Sequence, residues 1–282
     1  MAQPTIEPIS AETLPEFAAF LHENLTAARS QQAWVEGLSK SWGMSPPNHG
    51  FVLRDAGKIV GGIGAYYAQR TIKSEIQRTC NITSWCVLDA YRKQSMRLAM
   101  AVIGQQGFHY TDFSPTKVVG GVLQFLKFRP LDERRAVICN LPWPAIGSKI
   151  VTRPQDIESA LTGEALQIYR DHKDFPWLRH VLIGVPGKWC HVIYKRERFK
   201  GLASAQVYYL SDAVLFDRHF RGLARHLLMR CISTTQVECR FLAQLPWPSK
   251  VRSGFNAKVY LSPALGDADI DYLYSETMAL DL

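Results

Sequence analysis

Apolar and polar residues recur with distinct periods along the chain, and these periods predict its strands and helices. Residues 79–88 are rich in β-branched and aromatic side chains, which suit a half-buried strand. A polar turn over residues 89–95 follows, and from Met96 to Ile103 apolar residues recur at the spacing of one helical face. A short strand over 107–113 and a helix over 116–127 complete this segment, which therefore reads strand, turn, helix, strand, helix.

The residues before this segment predict a strand and a helix over residues 6–38, and then a β-hairpin. Its strands, residues 50–53 and 58–67, flank Asp55-Ala56-Gly57, which is a strong turn signal. Residues 61–64 read Gly-Gly-Ile-Gly inside the second of these strands. Glycines in a strand let a cofactor or a neighbouring strand come close, so this is where we expect a close approach.

A similar order of elements follows the Leu-Pro-Trp-Pro break at residues 141–144. The pattern predicts a helix over 157–172, a hairpin over 179–185 and 189–196, a strand over 203–210, a helix from Asp212 to about Met229, and strands over 237–243, 258–261 and 272–281. Hairpin, strand, helix and strand thus occur twice. We predict an α/β protein with mixed sheets in two tandem domains, residues 1–144 and 145–282.

The polar turn of the first half has the features of an anion site. The first turn of a helix has free N–H groups and partial positive charge. Arg92, Lys93 and Arg97 add formal positive charge at the place where the predicted helix begins. The turn therefore favours a phosphate-rich ligand.

This order of elements resembles the GNAT superfamily of acyl-CoA-dependent N-acyltransferases. The family motif ends a strand in valine and opens a helix with Tyr-Arg-x-x-Gly-x-Gly/Ala. Val87, Tyr91 and Arg92 fit that motif, whereas Ser95 and Arg97 stand where the family has small residues. A later Gly-Phe pair reads Lys127-Phe128, and the tyrosine that often serves as general acid falls on Leu123. The resemblance covers about residues 6–140 and implies two GNAT-like domains, with acyl-CoA (acetyl-CoA or longer) as co-substrate and no metal.

The resemblance also implies which residues hold the cofactor. The end of the motif strand would line the pantetheine arm, and backbone N–H groups of the turn would bind the pyrophosphate. The cofactor-binding residues predicted in this way are Trp85, Cys86, Val87, Arg92, Lys93, Gln94, Ser95, Met96 and Arg97. The second half has Asp212 at the comparable place, where a carboxylate would repel a pyrophosphate. We therefore expect the second domain to bind no cofactor.

Amide formation needs a neutral amine, a place for the oxyanion and a proton for the leaving thiolate. The family often carries a carboxylate on the motif strand, where this chain has Ser84. The nearest titratable groups are Glu75, His109 and Asp112. Glu276 lies among apolar residues, and a carboxylate in such surroundings needs either a binding partner or a functional role. The catalytic candidates are Ser84, His109, Asp112 and Glu276.

Composition limits the class of protein. Hydrophobic residues make up 47% of the 282 residues and charged residues 21%, as in globular proteins. No apolar run approaches the roughly 20 residues of a membrane-spanning helix, and the N-terminus lacks the features of a signal peptide. The six cysteines form no C-x-x-C pair, so we expect buried thiols without a disulfide framework or metal site. The predicted location is cytoplasmic.

The net charge of +8 indicates a surface that attracts anions. The basic residues are dispersed and form no recognisable nucleic-acid-binding module, so no specific nucleic acid is expected. The same charge would suit peripheral contact with an anionic membrane at its inner face, and this alternative stays open. The oligomeric state is not predicted.

The acceptor is less defined than the donor. We favour a small amine such as an amino sugar, with a long-chain lipid amine as the alternative. The lost glycines and Leu123 also fit a non-catalytic GNAT-like protein that binds a ligand or partner. A third alternative is a transferase that uses aminoacyl-tRNA, for which RNA binding should fall steeply with salt in a gel shift.

Overall fold

The computed structural model describes residues 3–281, which form two compact units. The first unit contains the described residues of Met1–Leu131, Asn256–Gly266 and Tyr274–Leu282, and the second contains Asp132–Phe255 and Asp267–Leu273. The C-terminal part of the chain thus contributes to both units. The domain boundary predicted after Pro144 lies inside the second unit, because the strand over Arg135–Cys139 pairs in the second sheet.

The N-terminal 131 residues form most of the first unit. In chain order its elements are β1 (Thr5–Pro8), α1 (Leu14–Asn24), α2 (Gln31–Leu38), β2 (Ser41–Trp42), β3 (Gly50–Asp55), β4 (Lys58–Ile72), β5 (Glu75–Val87), α3 (Ser95–Ile103), β6 (His109–Asp112), α4 (Lys117–Phe125) and β7 (Arg129–Pro130). A 3₁₀ helix, Asp89–Gln94, joins β5 to α3. It occupies the predicted polar turn.

The second unit follows directly. Its elements are β8 (Arg135–Cys139), β9 (Lys149–Val151), α5 (Pro154–Ala160), α6 (Gly163–His172), β10 (Arg179–Val185), β11 (Lys188–Phe199), β12 (Leu202–Leu210), α7 (Ala213–Leu228), β13 (Thr234–Glu238) and β14 (Ser249–Arg252). Two more 3₁₀ helices, Cys239–Phe241 and Asp267–Asp269, belong to this unit. The chain then adds β15 (Val259–Leu261) and α8 (Glu276–Ala279) to the first unit.

Each unit is built on one mixed sheet. The first has the order β1-β3-β4-β5-β6-β15-β7 with β2 beside β4, and the second has the order β14-β8-β13-β12-β11-β10-β9. In each unit a hairpin is followed by a strand, a helix and a second strand that pairs in parallel with the first. In the first unit the hairpin is β3–β4, and β5, α3 and β6 follow it. In the second unit the hairpin is β10–β11, and β12, α7 and β13 follow it. The predicted mixed α/β fold with a repeated order of elements is confirmed.

Helix α7 shows why this sequence folds as predicted. The Asp212 carboxylate accepts a hydrogen bond from the N–H of Leu215 at 2.8 Å, which caps the first turn. Phe216, Phe220, Leu223 and Leu227 recur at helical spacing and are buried against the second sheet. The cap and the apolar face together fix where α7 begins and which side it buries.

Three predicted elements differ from the structure. The strand predicted over 272–281 is a turn followed by the short helix α8, so Glu276 lies in a helix and not in a strand. The strand predicted over 237–243 stops at Glu238, where a 3₁₀ helix begins. The helix predicted over 157–172 is broken in two before Gly163, which has φ +56°. Short apolar runs in fully buried segments do not distinguish helix from strand by their period.

The glycines of residues 61–64 make room for side chains. A Cβ on Gly62 would lie 2.3 Å from the ring of Phe17, and one on Gly61 would lie 2.9 Å from Val87. Phe17 belongs to α1 and is fully buried. The close approach predicted at these glycines is therefore made by α1 and by the neighbouring strand β5.

This packing predicts opposite effects for two glycine substitutions. Gly62→Ala should lower the free energy of unfolding by about 2 kcal/mol, because the added methyl group has no space beside Phe17. Gly121→Ala in α4 is the matched control, since nothing lies within 4 Å of its Cβ position. It should raise the free energy of unfolding by up to about 1 kcal/mol through helix propensity. Denaturant titration of both variants measures the difference, and equal effects would contradict this account.

Candidate functional site

Strands β5 and β6 of the first unit separate after a short parallel pairing. Thr79–Asn81 pairs with His109–Thr111, and beyond Asn81 the rest of β5 pairs with β4 alone in the described part of the chain. Ser84 has φ +51°, and the register with β4 shifts between Gly62 and Gly64. This bulge bends β5 where it leaves β6. The result is an opening along one edge of β5.

A cavity of about 660 Å³ lies at this opening. Its lining comes from the end of α1, the end of β5, the 3₁₀ helix, the start of α3 and the first two turns of α4. The lining residues are Asn24, Trp85, Cys86, Val87, Leu88, Asp89, Arg92, Ser95, Thr116, Val118, Val119 and Val122. Five of the nine residues predicted to bind cofactor are in this lining, namely Trp85, Cys86, Val87, Arg92 and Ser95. These five predicted residues thus lie together on one wall of the cavity.

The other four predicted cofactor residues, Lys93, Gln94, Met96 and Arg97, are not in the lining. Arg97 donates hydrogen bonds to the carbonyl of Pro4 at 3.1 Å and to Oε1 of Gln94 at 3.0 Å. Its guanidinium therefore points towards the N-terminal segment. Arg97 leaves the cavity open in spite of its size.

The polar turn over residues 89–95 differs from the expected helix start. The 3₁₀ helix runs directly into α3, and the N–H of Ser95 already donates to the carbonyl of Arg92. The N–H of Ser95, one of the turn N–H groups expected to bind pyrophosphate, is thus already used inside the turn. Asp89 opens the 3₁₀ helix, and its carboxylate lies 2.7 Å from the Arg92 guanidinium with both side chains exposed. An exposed ion pair of this kind is weak, so a ligand phosphate can compete for Arg92.

Helix α4 supplies the wall that the sequence did not reveal. Thr116 caps the helix by accepting a hydrogen bond from the N–H of Val119 at 3.3 Å. Val118, Val119 and Val122 then face the cavity, and 78% of Val118 is exposed. The spacing of these valines indicates an apolar helix face, and such a face normally packs against the protein core. The sequence alone therefore provided no reason to place these valines at a cavity.

The structure brings Asp112 and Glu276 together in a buried cluster. Oε1 of Glu276 accepts hydrogen bonds from the N–H of Phe113 and from the hydroxyl of Ser114, both at 3.1 Å. Oδ1 of Asp112 accepts from the N–H of Ser114 at 3.1 Å. The N–H of Glu276 donates to Oδ1 of Asn81 at 2.8 Å, which ties α8 to β5. Ser114 is exposed and connects this cluster to solvent.

Burial changes the protonation of this cluster. Loss of hydration raises the pKa of Glu276 to about 7. Loss of hydration and the neighbouring Glu276 raise the pKa of Asp112 well above its usual range. Oε2 of Glu276 and the hydroxyl of Tyr66 are buried without a hydrogen-bond partner among the described residues. Both carboxyls therefore hold a proton to a higher pH than ordinary carboxyls do.

Ser84 and His109 are not hydrogen-bonded to this pair. Ser84 Oγ lies 3.2 Å from Oγ1 of Thr83. Nδ1 of His109 lies 2.8 Å from Oγ of Ser262, and Nε2 lies 2.8 Å from Oε1 of Gln77. Burial lowers the pKa of His109, so the ring is neutral and both nitrogens are engaged. His109 has no free position for a proton from a substrate in this arrangement.

The second unit has the same kind of opening, with different contents. The parallel pairing of β12 with β13 ends at Gln206 and Gln236. Beyond it, the ring of Tyr272 lies 5.1 Å from the ring of Tyr208, and the Tyr272 hydroxyl donates to Glu238. The helix start is taken by the Asp212 carboxylate. Side chains thus occupy the two places in the second unit that are comparable to the β5 opening and the polar turn of the first.

Residues 3–281, which the structure describes, lack two features. No helix in this part of the chain is long and apolar enough to cross a membrane. No group of three or more His, Cys, Asp or Glu side chains there is arranged to hold a metal ion.

Comparison with known proteins shows the fold. No protein-family profile and no curated protein sequence matches the chain. The structure is similar to a GCN5-related N-acetyltransferase from Anabaena variabilis, with 12% identity, a TM-score of 0.62, and coverage of 92% of this chain and 72% of that chain. It is also similar to one from Kribbella flavida (11% identity, 92% and 70% coverage, TM-score 0.59). Eis1 from Mycobacterium abscessus matches with 12% identity, 91% and 73% coverage and a TM-score of 0.53. The predicted GNAT-like fold is confirmed.

Proposed function

We propose that this chain, which has the fold of the GCN5-related N-acetyltransferases, is an N-acyltransferase whose first unit binds acyl-CoA. The observation that carries this proposal is the cavity of about 660 Å³ at the opening between β5 and β6. It lies where the resemblance implies that the cofactor should bind, and it is lined by Trp85, Cys86 and Val87.

Different regions of the cavity lining suit different parts of acyl-CoA. The edge of β5 after Asn81 has no strand beside it on the side of β6, so an extended pantetheine arm can pair with it as an added strand does. The valines of α4 offer an apolar wall to that arm. Arg92 and the Ser95 hydroxyl lie in the same lining and can bind phosphate oxygens.

The reaction requires two proton movements. The amine nitrogen attacks the thioester carbon, a C–N bond forms, the C–S bond breaks, and the amine proton goes to a base while the thiolate of CoA takes a proton. Among the candidates, Glu276 has a pKa near 7, which suits proton exchange at neutral pH. Because Glu276 is fully buried, we propose that protons reach it through the exposed hydroxyl of Ser114. The acceptor we favour is a small amine such as an amino sugar, with a long-chain amine as the alternative.

Calorimetry with acetyl-CoA and with longer acyl-CoAs tests the proposal. One thioester should bind per chain, since Asp212 and Tyr272 occupy the comparable places in the second unit. A folded sample that gives no heat with any thioester would refute the proposal.

Cysteine labelling provides an independent readout of the same cavity. Cys86 lines the cavity and is half-buried, and burial raises the pKa of its thiol, so labelling is best done at alkaline pH. Bound acyl-CoA should slow the alkylation of Cys86 at least about tenfold, because the ligand covers it. Cys139 and Cys231 are exposed in the second unit and serve as internal controls. Mass spectrometry of the labelled peptides measures the rates, and equal protection of all three would contradict binding in this cavity.

A second candidate function is ligand binding without catalysis. The observation that favours it is Leu123, which is fully buried in the core of the first unit where the family often has its tyrosine acid. The hydrogen bond that the Ser95 N–H already makes within the turn also favours this second candidate. Release of free CoA thiol in the presence of acyl-CoA and a panel of amines separates the two candidates. Binding without thiol release from any amine would favour the non-catalytic protein.

A further inference from the structure

The second unit has a cavity of about 250 Å³ that the proposed function does not use. It is bordered by the start of α5, by α6, by the start of β10 and by the C-terminal end of α7, where His226 lies in the last turn and Arg230 follows the helix. Asp212 caps the opposite end of α7, roughly 24 Å away for a helix of 16 residues. The cavity is therefore separate from the place comparable to a cofactor turn.

Three cations line this cavity, and no acid does. They are Lys173, Arg179 and Arg230. Neither arginine has an ion pair within residues 3–281, and Lys173 lies 3.6 Å from Glu158, which also binds Arg170 at 2.8 Å. The C-terminal end of α7 contributes only about half a negative charge, so the formal positive charges dominate.

His226 adds a hydrogen-bond donor without an acceptor. Its Nδ1 lies 3.0 Å from a guanidinium nitrogen of Arg230, which can only donate, so Nδ1 accepts. Burial and the nearby Arg230 lower the pKa of His226 to about 4, and the neutral ring therefore carries its proton on Nε2. That Nε2 is buried and has no hydrogen-bond partner among the described residues. A buried donor of this kind is costly unless a ligand satisfies it.

We propose that this cavity binds a small phosphate-class oxyanion, either free phosphate or the phosphate end of a small phosphomonoester. The exposed Arg179 and Arg230 would pair with its oxygens, and a rotation of the His226 ring would bring its Nε2, which is buried in this structure, to one of them. The volume of about 250 Å³ is below the usual range for drug-sized ligands, which limits the ligand to a small molecule. The apolar part of the lining, including Ile157 and Leu178, suits the carbon portion of a phosphomonoester.

Calorimetry with inorganic phosphate and with glucose 6-phosphate, each at constant ionic strength in chloride, tests this proposal. Arg179→Gln and Arg230→Gln should each weaken binding about tenfold or more, since each removes a charge-assisted contact. Arg225→Gln is the matched control, because Arg225 is exposed on the same helix and does not line the cavity. It should leave binding unchanged. Tighter binding of glucose 6-phosphate than of phosphate would identify a phosphomonoester as the ligand, and the reverse would identify free phosphate.

Two results would overturn the proposal. One is a wild-type titration with both probes that is indistinguishable from chloride. The other is binding that Arg225→Gln weakens as much as Arg230→Gln does, which would show a diffuse effect of surface charge. His226→Leu, with its folding checked by thermal unfolding, should also weaken binding about tenfold. The variants lie in the second unit and should leave acyl-CoA binding intact, so this proposal and the proposed function fail independently.

Discussion

Reversing the charge of Arg92 should weaken acyl-CoA binding by about tenfold to a hundredfold, which corresponds to roughly 1.4 to 2.8 kcal/mol. Arg92 is the only cation in the lining of the described cavity, and Arg92→Glu would place a second carboxylate beside Asp89. The two acids would repel the pyrophosphate that Arg92 is proposed to bind. Calorimetry with the tightest-binding thioester measures the loss.

A charge-matched variant separates this contact from the general field of the protein. Arg129→Glu changes the net charge by the same amount at an exposed position of the first unit that does not line the cavity. We expect an effect of less than about threefold for Arg129→Glu, and this effect should shrink as salt is added. Equal losses for the two variants would contradict a direct role of Arg92.

Replacing Glu276 by glutamine should stabilise the protein at alkaline pH. The pKa of Glu276 is about 7 in the folded protein, against 4.5 as its ordinary value. The folded state therefore holds this proton more tightly than the unfolded state does. Stability from Glu276 is fully present below a pH of about 4.5 and is lost as the pH rises to about 7. The loss reaches roughly 3 kcal/mol, at about 1.4 kcal/mol for each pH unit of the shift.

Glutamine removes this loss and keeps the hydrogen bonds. Its carbonyl oxygen can accept from the N–H of Phe113 and from the Ser114 hydroxyl, as Oε1 of Glu276 does. Its amide group takes the place of Oε2, which has no hydrogen-bond partner among the described residues. Denaturant titrations at pH 5 and pH 8 should show Glu276→Gln gaining on the wild type as the pH rises. The exposed Glu23→Gln should show no such trend, and a gain that does not depend on pH would contradict the raised pKa.

Local signals predicted the elements that form the first wall of the site. The strand before Asp89, the helix after Gln94 and the cap at Asp212 each depend on residues close together in the sequence. The same applies to Thr116, which caps α4 at the residue where the sequence predicts a helix to begin. Capping, turn chemistry and periodicity act over a few residues, so a single sequence contains them.

Contacts between residues that are far apart in the sequence could not be predicted from such local patterns. Glu276 is bound to Asn81, 195 positions earlier, and nothing near Glu276 in the sequence indicates that partner. The valines of α4 show that one helix face is apolar, but only the tertiary structure shows that part of this face lines a cavity. The engaged N–H of Ser95 likewise depends on a 3₁₀ turn that the composition of the segment does not specify.

The place of β15 in the first sheet has a consequence for synthesis of the chain. This strand lies between β6 and β7, although more than 120 residues of the second unit separate it from them in sequence. Pairings at such long sequence separation form slowly, and here they must wait until the ribosome has made the chain as far as Leu261. Until then β6 presents an open strand edge, which is a site for aggregation. A fragment that stops after Leu131 would keep that edge permanently, so the first unit depends on β15, which follows residues 132–255 of the second unit, to cover its own sheet edge.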